Sequence, residues 1–360
     1  MKLKDNYRKL EIKGRRTIVI SDIHGEKVLF QKLLEKVGFL EDDVLIIGGD
    51  ILDKGRDSIG TMKYVLQLLE QENVHMIEGN CDRILTELYE AWLFDYMDYR
   101  RTFIHDYLDE TGKTLADYPS QHNLADDILK TYGDYQQRFA ALPTAIETED
   151  YLFVHAGIDH ADYLETDCEQ ALVMPNFYEQ KHQLDKYVVV GHYPACNYVE
   201  NGLYSHEVKI SHDRKIIAID GGNQVKASGQ LNALIIEADG TRSSMAVDDY
   251  ITREIVQSLE VSYQEPHTFT YPDFEITIGE IDPYFTSAIH VRSQTEFMVK
   301  TEYIQEDGSG GYRLKDDYTD MFLNVEVGET VKVIDDSCLG YVLVKKESLV
   351  GWVPEEVLGE

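Results

Sequence analysis

Five short apolar runs, rich in β-branched residues, punctuate the first two thirds of the chain: TIVI, VLIIG, VHMIEG, YLFVHAG and YVVVGH. Runs of this kind read as strands buried on both faces. After the first, Lys27–Val37 places Val28, Leu29, Leu33, Leu34 and Val37 at helical spacing. After the second, Ser58–Glu70 does the same with Ile59, Tyr64, Val65, Leu68 and Leu69, and a further helix is expected to start near Asp82. The stretch from Arg15 to about Ala91 is therefore a βαβαβ unit. From about 91 to 142 the chain is rich in Tyr, Asp and Leu and predicts a helical insertion, broken at Gly112 and at Asp117-Tyr118-Pro119-Ser120. A second strand-rich half follows (AIETED, YLFVHAG, KYVVVGH, KIIAIDGG, QLNALIIEA), giving a β-sandwich flanked by helices over residues 1–245.

Beyond about Ala246 the pattern changes. VDDYITREIVQSLEV predicts a terminal helix, and YQEPHTFTYPDFEITIGEIDP a linker with three prolines, so 246–283 is expected to be helix and linker. Residues 284–360 carry short alternating strands around the turn Gly308-Ser309-Gly310-Gly311, a small all-β barrel or sandwich.

The chemistry sits where the apolar runs stop. The polar motifs are SDIHGE (Asp22, His24), GGDILDKG (Asp50, Asp53), EGNCDR (Asn80, Cys81, Asp82), VHAG (His155) and VGHYP (His192). Strand ends are where α/β sheets place their sites. Carboxylates, an amide oxygen and imidazoles converging there make a two-metal site from Asp22, His24, Asp50, Asn80, His155 and His192. His206 and His212 lie between the fifth motif and the IDGG strand and are further candidates. The other histidines have no motif context.

Composition narrows the partners. At 360 residues the chain suits one large domain plus a smaller one. A net charge of −32 argues against a nucleic-acid duplex, which needs a basic surface. No apolar stretch approaches a membrane span, and MKLKDNYRKLEIKGRR shows no signal peptide. Four scattered cysteines without CxxC pairing fit a reduced, cytoplasmic protein.

Over residues 15 to 240 the five motifs resemble the calcineurin-like metallophosphoesterase superfamily. GHYPA followed by AIDGGNQ is similar to the bacterial phosphoprotein-phosphatase branch. The resemblance implies a four-layer αββα sandwich. It implies that Asp22 and His24 hold one metal, that Asn80, His155 and His192 hold a second, and that Asp50 bridges them. The cofactors would be two divalent ions, Mn²⁺ foremost, with Fe or Zn²⁺ as alternatives. The reaction implied is hydroxide attack on a phosphomonoester of a small molecule or a phosphoprotein. Two departures stand out. Cys81 replaces the histidine that pairs with the aspartate at Asp53 and protonates the leaving group, so Asp53, Cys81 and Asp82 are the catalytic candidates. Lys54 replaces an arginine, a point charge for a bidentate fork. With no match for the second phosphate-binding arginine, Lys54, Arg56 and Arg83 are the phosphate-binding candidates. GNCD also occurs in small phosphodiesterases of the superfamily, so a phosphodiesterase or dinucleoside polyphosphate hydrolase is the alternative, and a silent metal-binding scaffold another.

The tail resembles an SH3-like barrel. Val327-Gly328-Glu329 with Val331 and Val333 is similar to its diverging-turn strand, and Gly351-Trp352-Val353-Pro354 to its last strand. Gly340-Tyr341 stands where a tryptophan pair is expected, which argues against a Pro-rich peptide groove. A structural or dimerising appendage, or a protein-partner contact, is the expectation.

Overall fold

Residues 1–262 and 265–359 are described by the computed structural model of the chain. Tyr263 and Gln264 of the expected linker, and Glu360 at the end of the expected barrel, lie outside the described residues. The chain divides into two compact units, the first formed by Met1–Ala195, Glu207–Val225 and Gly229–Asp248.

Two sheets build the first unit. A five-stranded sheet runs Arg242–Val247, Leu231–Ile236, Thr17–Ile20, Val44–Ile47, Val74–Met76, with the last three strands parallel. A six-stranded sheet runs Tyr7–Lys9, Ala145–Glu147, Tyr151–Val154, Tyr187–Val190, Ile216–Ala218, Lys209–Ser211. Period-two alternation explains why the apolar runs are continuous. In the five-stranded sheet Val19, Val44, Ile46, Leu234 and Ile236 meet Ile146, Phe153, Val189 and Ile217 of the other sheet. Ile18, Ile20, Leu45, Ile47, Met76 and Ile235 point the opposite way, into a cluster with Leu29, Phe30, Leu33, Met62 and Val65 of the helices. Each such fully buried side chain contributes about 1.5–3 kcal/mol relative to exposure.

The helices Lys27–Val37 and Ser58–Leu68 follow the strands Thr17–Ile20 and Val44–Ile47. Gly38 ends the former in the left-handed conformation, and Asp57 caps the latter by accepting the Gly60 amide. Val28 faces solvent, and Phe30 takes its place in the core. Cys81–Leu85 is a short 3₁₀ turn rather than the start of a long helix. Helices Trp92–Met97, Phe103–Thr111 and Gln121–Ala140 occupy the next fifty residues.

The second unit comprises Cys196–His206, Lys226–Ser228 and Asp249–Glu360. It is all-β. One sheet runs Thr252–Glu254, Thr330–Asp335, Tyr341–Lys346, Leu349–Pro354, followed by a 3₁₀ turn at Glu355–Val357. A second runs Glu296–Lys300, Phe285–His290, Glu275–Ile278, Tyr312–Leu314, Ile304–Glu306. The expected terminal helix at VDDYITREIVQSLEV does not form. Thr252–Glu254 is a strand paired with Thr330–Lys332, the Ile255 amide bonds Glu329 O, and the Leu259 amide bonds Val325 O. Ile255 and Leu259 look helical by their spacing of four, yet Ile255 is buried among Val325, Val331, Val344 and Val353. The expected linker is likewise corrected, because Glu275–Ile278 is the central strand of a sheet and pairs with Phe285–His290 across the expected boundary. Among the described residues no helix is long and apolar enough to cross a membrane.

Candidate metal centre

Every motif residue of the first unit lies just past the end of a strand. Asp22 follows Thr17–Ile20, Asp50 follows Val44–Ile47 and Asn80 follows Val74–Met76, all in the five-stranded sheet. His155 and His192 follow Tyr151–Val154 and Tyr187–Val190 in the other sheet. The backbone there is strained: Asp22, His24, Asp50, Asp53, Lys54 and His192 all have φ between 48° and 68°. Non-glycine residues in that region cost about 1–3 kcal/mol each, and such strain gathers at functional sites. Close approach is secured by glycine at two points. A Cβ on Gly79 would lie 2.1 Å from Asp50 N, and one on Gly191 would lie 2.2 Å from Asp22 Oδ2.

Asp50 sits at the middle of the cluster. Its Oδ1 is 3.4 Å from His155 Nε2, and its Oδ2 is 3.9 Å from His24 Nε2. Ligand atoms of Asp22, Asp50 and His155 all lie within 4.8 Å of one another, and so do those of His24, Asp50 and Cys81. Ser21 Oγ donates to Asp22 Oδ2 at 2.5 Å, and the His192 amide reaches both Asp22 oxygens at 3.2 and 3.1 Å. Backbone carbonyls orient all three imidazoles: Leu52 O at His24 Nδ1, Gly48 O at His155 Nδ1, and Val173 O at the His192 ring. Such outer partners set which ring nitrogen is left to bind a metal.

Asn80 provides the test of fit. Its Oδ1 lies 2.9 Å from His192 Nδ1 and 3.1 Å from His155 Nε2. Against the neutral His192 ring this is lone pair facing lone pair, a contact that a cation between the atoms would relieve. A divalent ion among the three atoms turns the same arrangement into three ligands. The donor set of carboxylate, amide oxygen and imidazole suits a transition metal.

Burial sets the protonation of the cluster. It lowers His24 to about 3, with Lys54 adding to the effect, and lowers His192 to about 4, with His155 adding. It raises Asp22 to about 6, His155 opposing and Asp50 reinforcing. Burial would pull His155 down, but the Asp50 carboxylate overrides it and holds the ring at about 10. Burial also pushes Asp50 upward, and there His155 and Lys54 prevail, keeping it well below the usual range. His24 and His192 are thus neutral and ready to ligate near pH 7.

The calcineurin-like phosphoesterase family model matches residues 15–215. The chain belongs to this family. Its members carry a dinuclear divalent metal site, and the phosphatase-type branch holds the relatives. The chain is 33% identical over 106 residues to Serine/threonine-protein phosphatase 2 of Escherichia coli (strain K12), covering 26% of this chain and 47% of that protein. It is 42% identical over 67 residues to the symmetrical bis(5'-nucleosyl)-tetraphosphatase of Buchnera aphidicola subsp. Acyrthosiphon pisum, covering 18% and 24%. The match thus spans about half the length of the first relative and a quarter of the second. Among solved structures, a putative diadenosine tetraphosphatase aligns over 67% of this chain and 97% of its own, with 18% identity and a TM-score of 0.45.

Set against the family pattern, the remaining candidates divide. Lys54 is at the cluster, its ammonium 3.1 Å from His24 Nε2 and 4.0 Å from Asp50 Oδ2. Arg83 is ion-paired, with Glu78 at 2.8 Å, Glu87 at 3.8 Å and Glu169 around its guanidinium. Arg56 is an exposed side chain with its Nε 3.6 Å from Glu26. Asp82 is buried and turned to backbone amides. Its carboxylate accepts the amides of Asp50, Ile51, Leu52 and Gly79, so it holds the ligand loop from behind. Asp53 accepts the Phe103 amide at 2.8 Å, and burial raises its pKa well above normal. Cys81 Sγ instead faces Asn80 Nδ2 at 3.4 Å. His206 belongs to the second unit, where its Nε2 is 2.7 Å from Ser228 Oγ, and exposed His212 meets the Tyr187 hydroxyl.

Two residues escaped the sequence reading. Asp220 follows the strand Ile216–Ala218 and is fully buried, its Oδ1 accepting the Gly222 amide at 2.7 Å; burial, then Asp22, push its carboxyl well up. The signal was present, since KIIAID ends in an acid as TIVISD does. Tyr96, half-buried on Trp92–Met97, has a phenol raised by burial and by Cys81 and Asp53. No motif marks it.

Proposed function

We propose that the protein is a dinuclear-metal phosphomonoesterase acting on a small phosphorylated metabolite or a phosphoprotein. The observation that carries this is the convergence of Asp22, His24, Asp50, Asn80, His155 and His192 at the ends of strands from two sheets. Asp22 and His24 would hold one ion, Asn80, His155 and His192 the other, with Asp50 shared. When bound, the two ions supply Lewis acidity and an activated water for attack at phosphorus. Lys54, the cation nearest the cluster, would take a phosphate oxygen as a point charge. Asp82 keeps the Asp50 loop in place throughout. The all-β second unit is read as SH3-like in its last three strands and 3₁₀ turn, with a structural or partner-binding role.

A second reading is favoured by one residue. With Cys81 where a histidine would protonate the leaving group, substrates with good leaving groups gain an advantage. That points to diesters or dinucleoside polyphosphates, and the tetraphosphatase relative agrees with it. Rates on a phenyl monoester and on the matching bis-phenyl diester, measured side by side, separate the two. A larger rate on the diester would reverse the preference. Full metal content and full aryl phosphatase activity in Asp50→Asn would remove the reading altogether. Silence on both esters above metal-free controls would leave a metal-binding scaffold.

A further inference from the structure

The phosphoesterase reading assigns six ligands and leaves Cys81 as a failed substitute for a general acid. Its surroundings say otherwise. Its Sγ falls with a ring nitrogen of His24 and an Asp50 oxygen in one group of ligand atoms, all within 4.8 Å of one another, beside the Lys54 ammonium that lies 3.1 Å from His24 Nε2. His24 Nδ1 is taken by Leu52 O, so Nε2 is the nitrogen presented to that group. A second feature points the same way. The Asn80 orientation that turns Oδ1 on the two imidazoles aims Nδ2 at Cys81 Sγ, 3.4 Å away, an N–H that a thiolate accepts. The Cys81 amide is meanwhile tied to Asp50 Oδ1 at 2.8 Å, which fixes the sulfur's place relative to the bridging carboxylate. Asp53, the usual partner of a general acid here, accepts the Phe103 amide.

We propose that Cys81 is a ligand of the first metal, its sulfur joining Asp22, His24 and Asp50, so that this site selects a thiophilic divalent ion over Mn²⁺. The inference rests on the dinuclear reading and sharpens it. As the metal–sulfur bond forms, the thiol proton leaves to solvent, one per chain. A thiolate beside imidazole and carboxylate suits Zn²⁺, Fe²⁺ or Co²⁺, whereas Mn²⁺ prefers oxygen donors.

Co²⁺ is the probe. Full-length, chelator-treated protein titrated with Co²⁺ should show visible ligand-field bands together with a sulfur-to-cobalt charge-transfer band in the near ultraviolet. Cys81→Ser should lose the charge-transfer band and keep the ligand-field bands. Its preference for Zn²⁺ over Mn²⁺ should fall about 10–100-fold, the scale on which even outer partners of a metal site act. Ligand-field bands without a sulfur band in the unaltered protein would overturn the assignment and leave the dinuclear reading standing. A sulfur band that persists in Cys81→Ser would overturn it too. Absence of any Co²⁺ bands would overturn both. The unaltered spectrum decides the matter even if the variant fails to fold.

Discussion

The Asp82 carboxylate accepts the backbone amide of Asp50 at 2.9 Å, so one buried acid holds the other in the left-handed conformation that turns it toward the metal cluster. Burial, then Asp50, raise Asp82 to about 7. Asp82→Asn keeps the shape but turns an NH₂ on amides that need an acceptor. We expect a loss of about 1–3 kcal/mol in unfolding free energy. Metal affinity should fall about 10–100-fold, as for other outer partners. Denaturant unfolding and calorimetric metal titration measure the two. An unchanged metal affinity would show that Asp82 does not position Asp50.

Metal binding should release protons. His155 is held at about 10 by Asp50 against its burial, so in the metal-free protein the ring is charged across neutral pH. A folded value above the unfolded one, about 6.5, means that the His155–Asp50 pair stabilises the fold fully below pH 6.5. That contribution is lost as pH rises through about 10. Ligation needs the neutral ring, so affinity should rise with pH by about tenfold per unit between pH 6.5 and 9 for each proton displaced. His24 and His192 add nothing there, being neutral above about 3 and 4. The Cys81→Ser background removes the thiol proton and isolates His155. A pH-independent affinity in that background would contradict the charged state of His155.

Asp53 gives a contrast between two substitutions. Burial raises its carboxyl well above the normal range, and one oxygen accepts the Phe103 amide. Asp53→Asn keeps that acceptor without a charge, so thermal stability and turnover should change little. Asp53→Ala leaves the Phe103 amide unpaired and should cost about 1–3 kcal/mol. If Asp53→Asn loses turnover while stability holds, the carboxyl is acting in proton transfer after all.

What could be read from the sequence, and what could not, divides along physical lines. The strands Thr17–Ile20 and Val44–Ile47 and the helix Lys27–Val37 were visible because burial on one or both faces writes a local period into the residues. The assignment of strands to two sheets, with Asn80 on one and His155 on the other, depends on pairings far apart in sequence. No local pattern carries that. The expected helix at VDDYITREIVQSLEV fails for the same reason: Ile251, Ile255 and Leu259 are spaced as in a helix, and only the distant strand Thr330–Asp335 decides that the segment is extended. Arg83 stood as a phosphate candidate; its partners Glu78 and Glu87 are local, whereas Glu169 reaches it from a distant part of the chain. Cys81 was legible as a departure, but its nearness to His24 and Asp50 is a fact of three dimensions.

The second unit should depend on one buried ion pair. Lys226 Nζ lies 2.7 Å from Asp317 Oδ2, with the two side chains 7% and 2% exposed. The Tyr204 hydroxyl donates to the same carboxylate at 2.9 Å, and the Tyr271 amide reaches its other oxygen at 3.1 Å. Asp317 thereby ties three stretches that are far apart in sequence, Cys196–His206, Lys226–Ser228 and the C-terminal run, into one body. Lys226→Met leaves the carboxylate buried with only the weaker donors, and breaking a buried pair from one side costs about 3–5 kcal/mol. Pairing it with Asp317→Asn removes the stranded charge and should recover part of that loss. Trp352, buried in this unit with its Nε1 donating to Thr319 O at 2.8 Å, reports its unfolding by fluorescence once exposed Trp92 is replaced by Phe. A loss below about 1 kcal/mol for Lys226→Met, the scale of a surface pair, would mean that Tyr204 and Tyr271 alone satisfy Asp317 and that the lysine is dispensable.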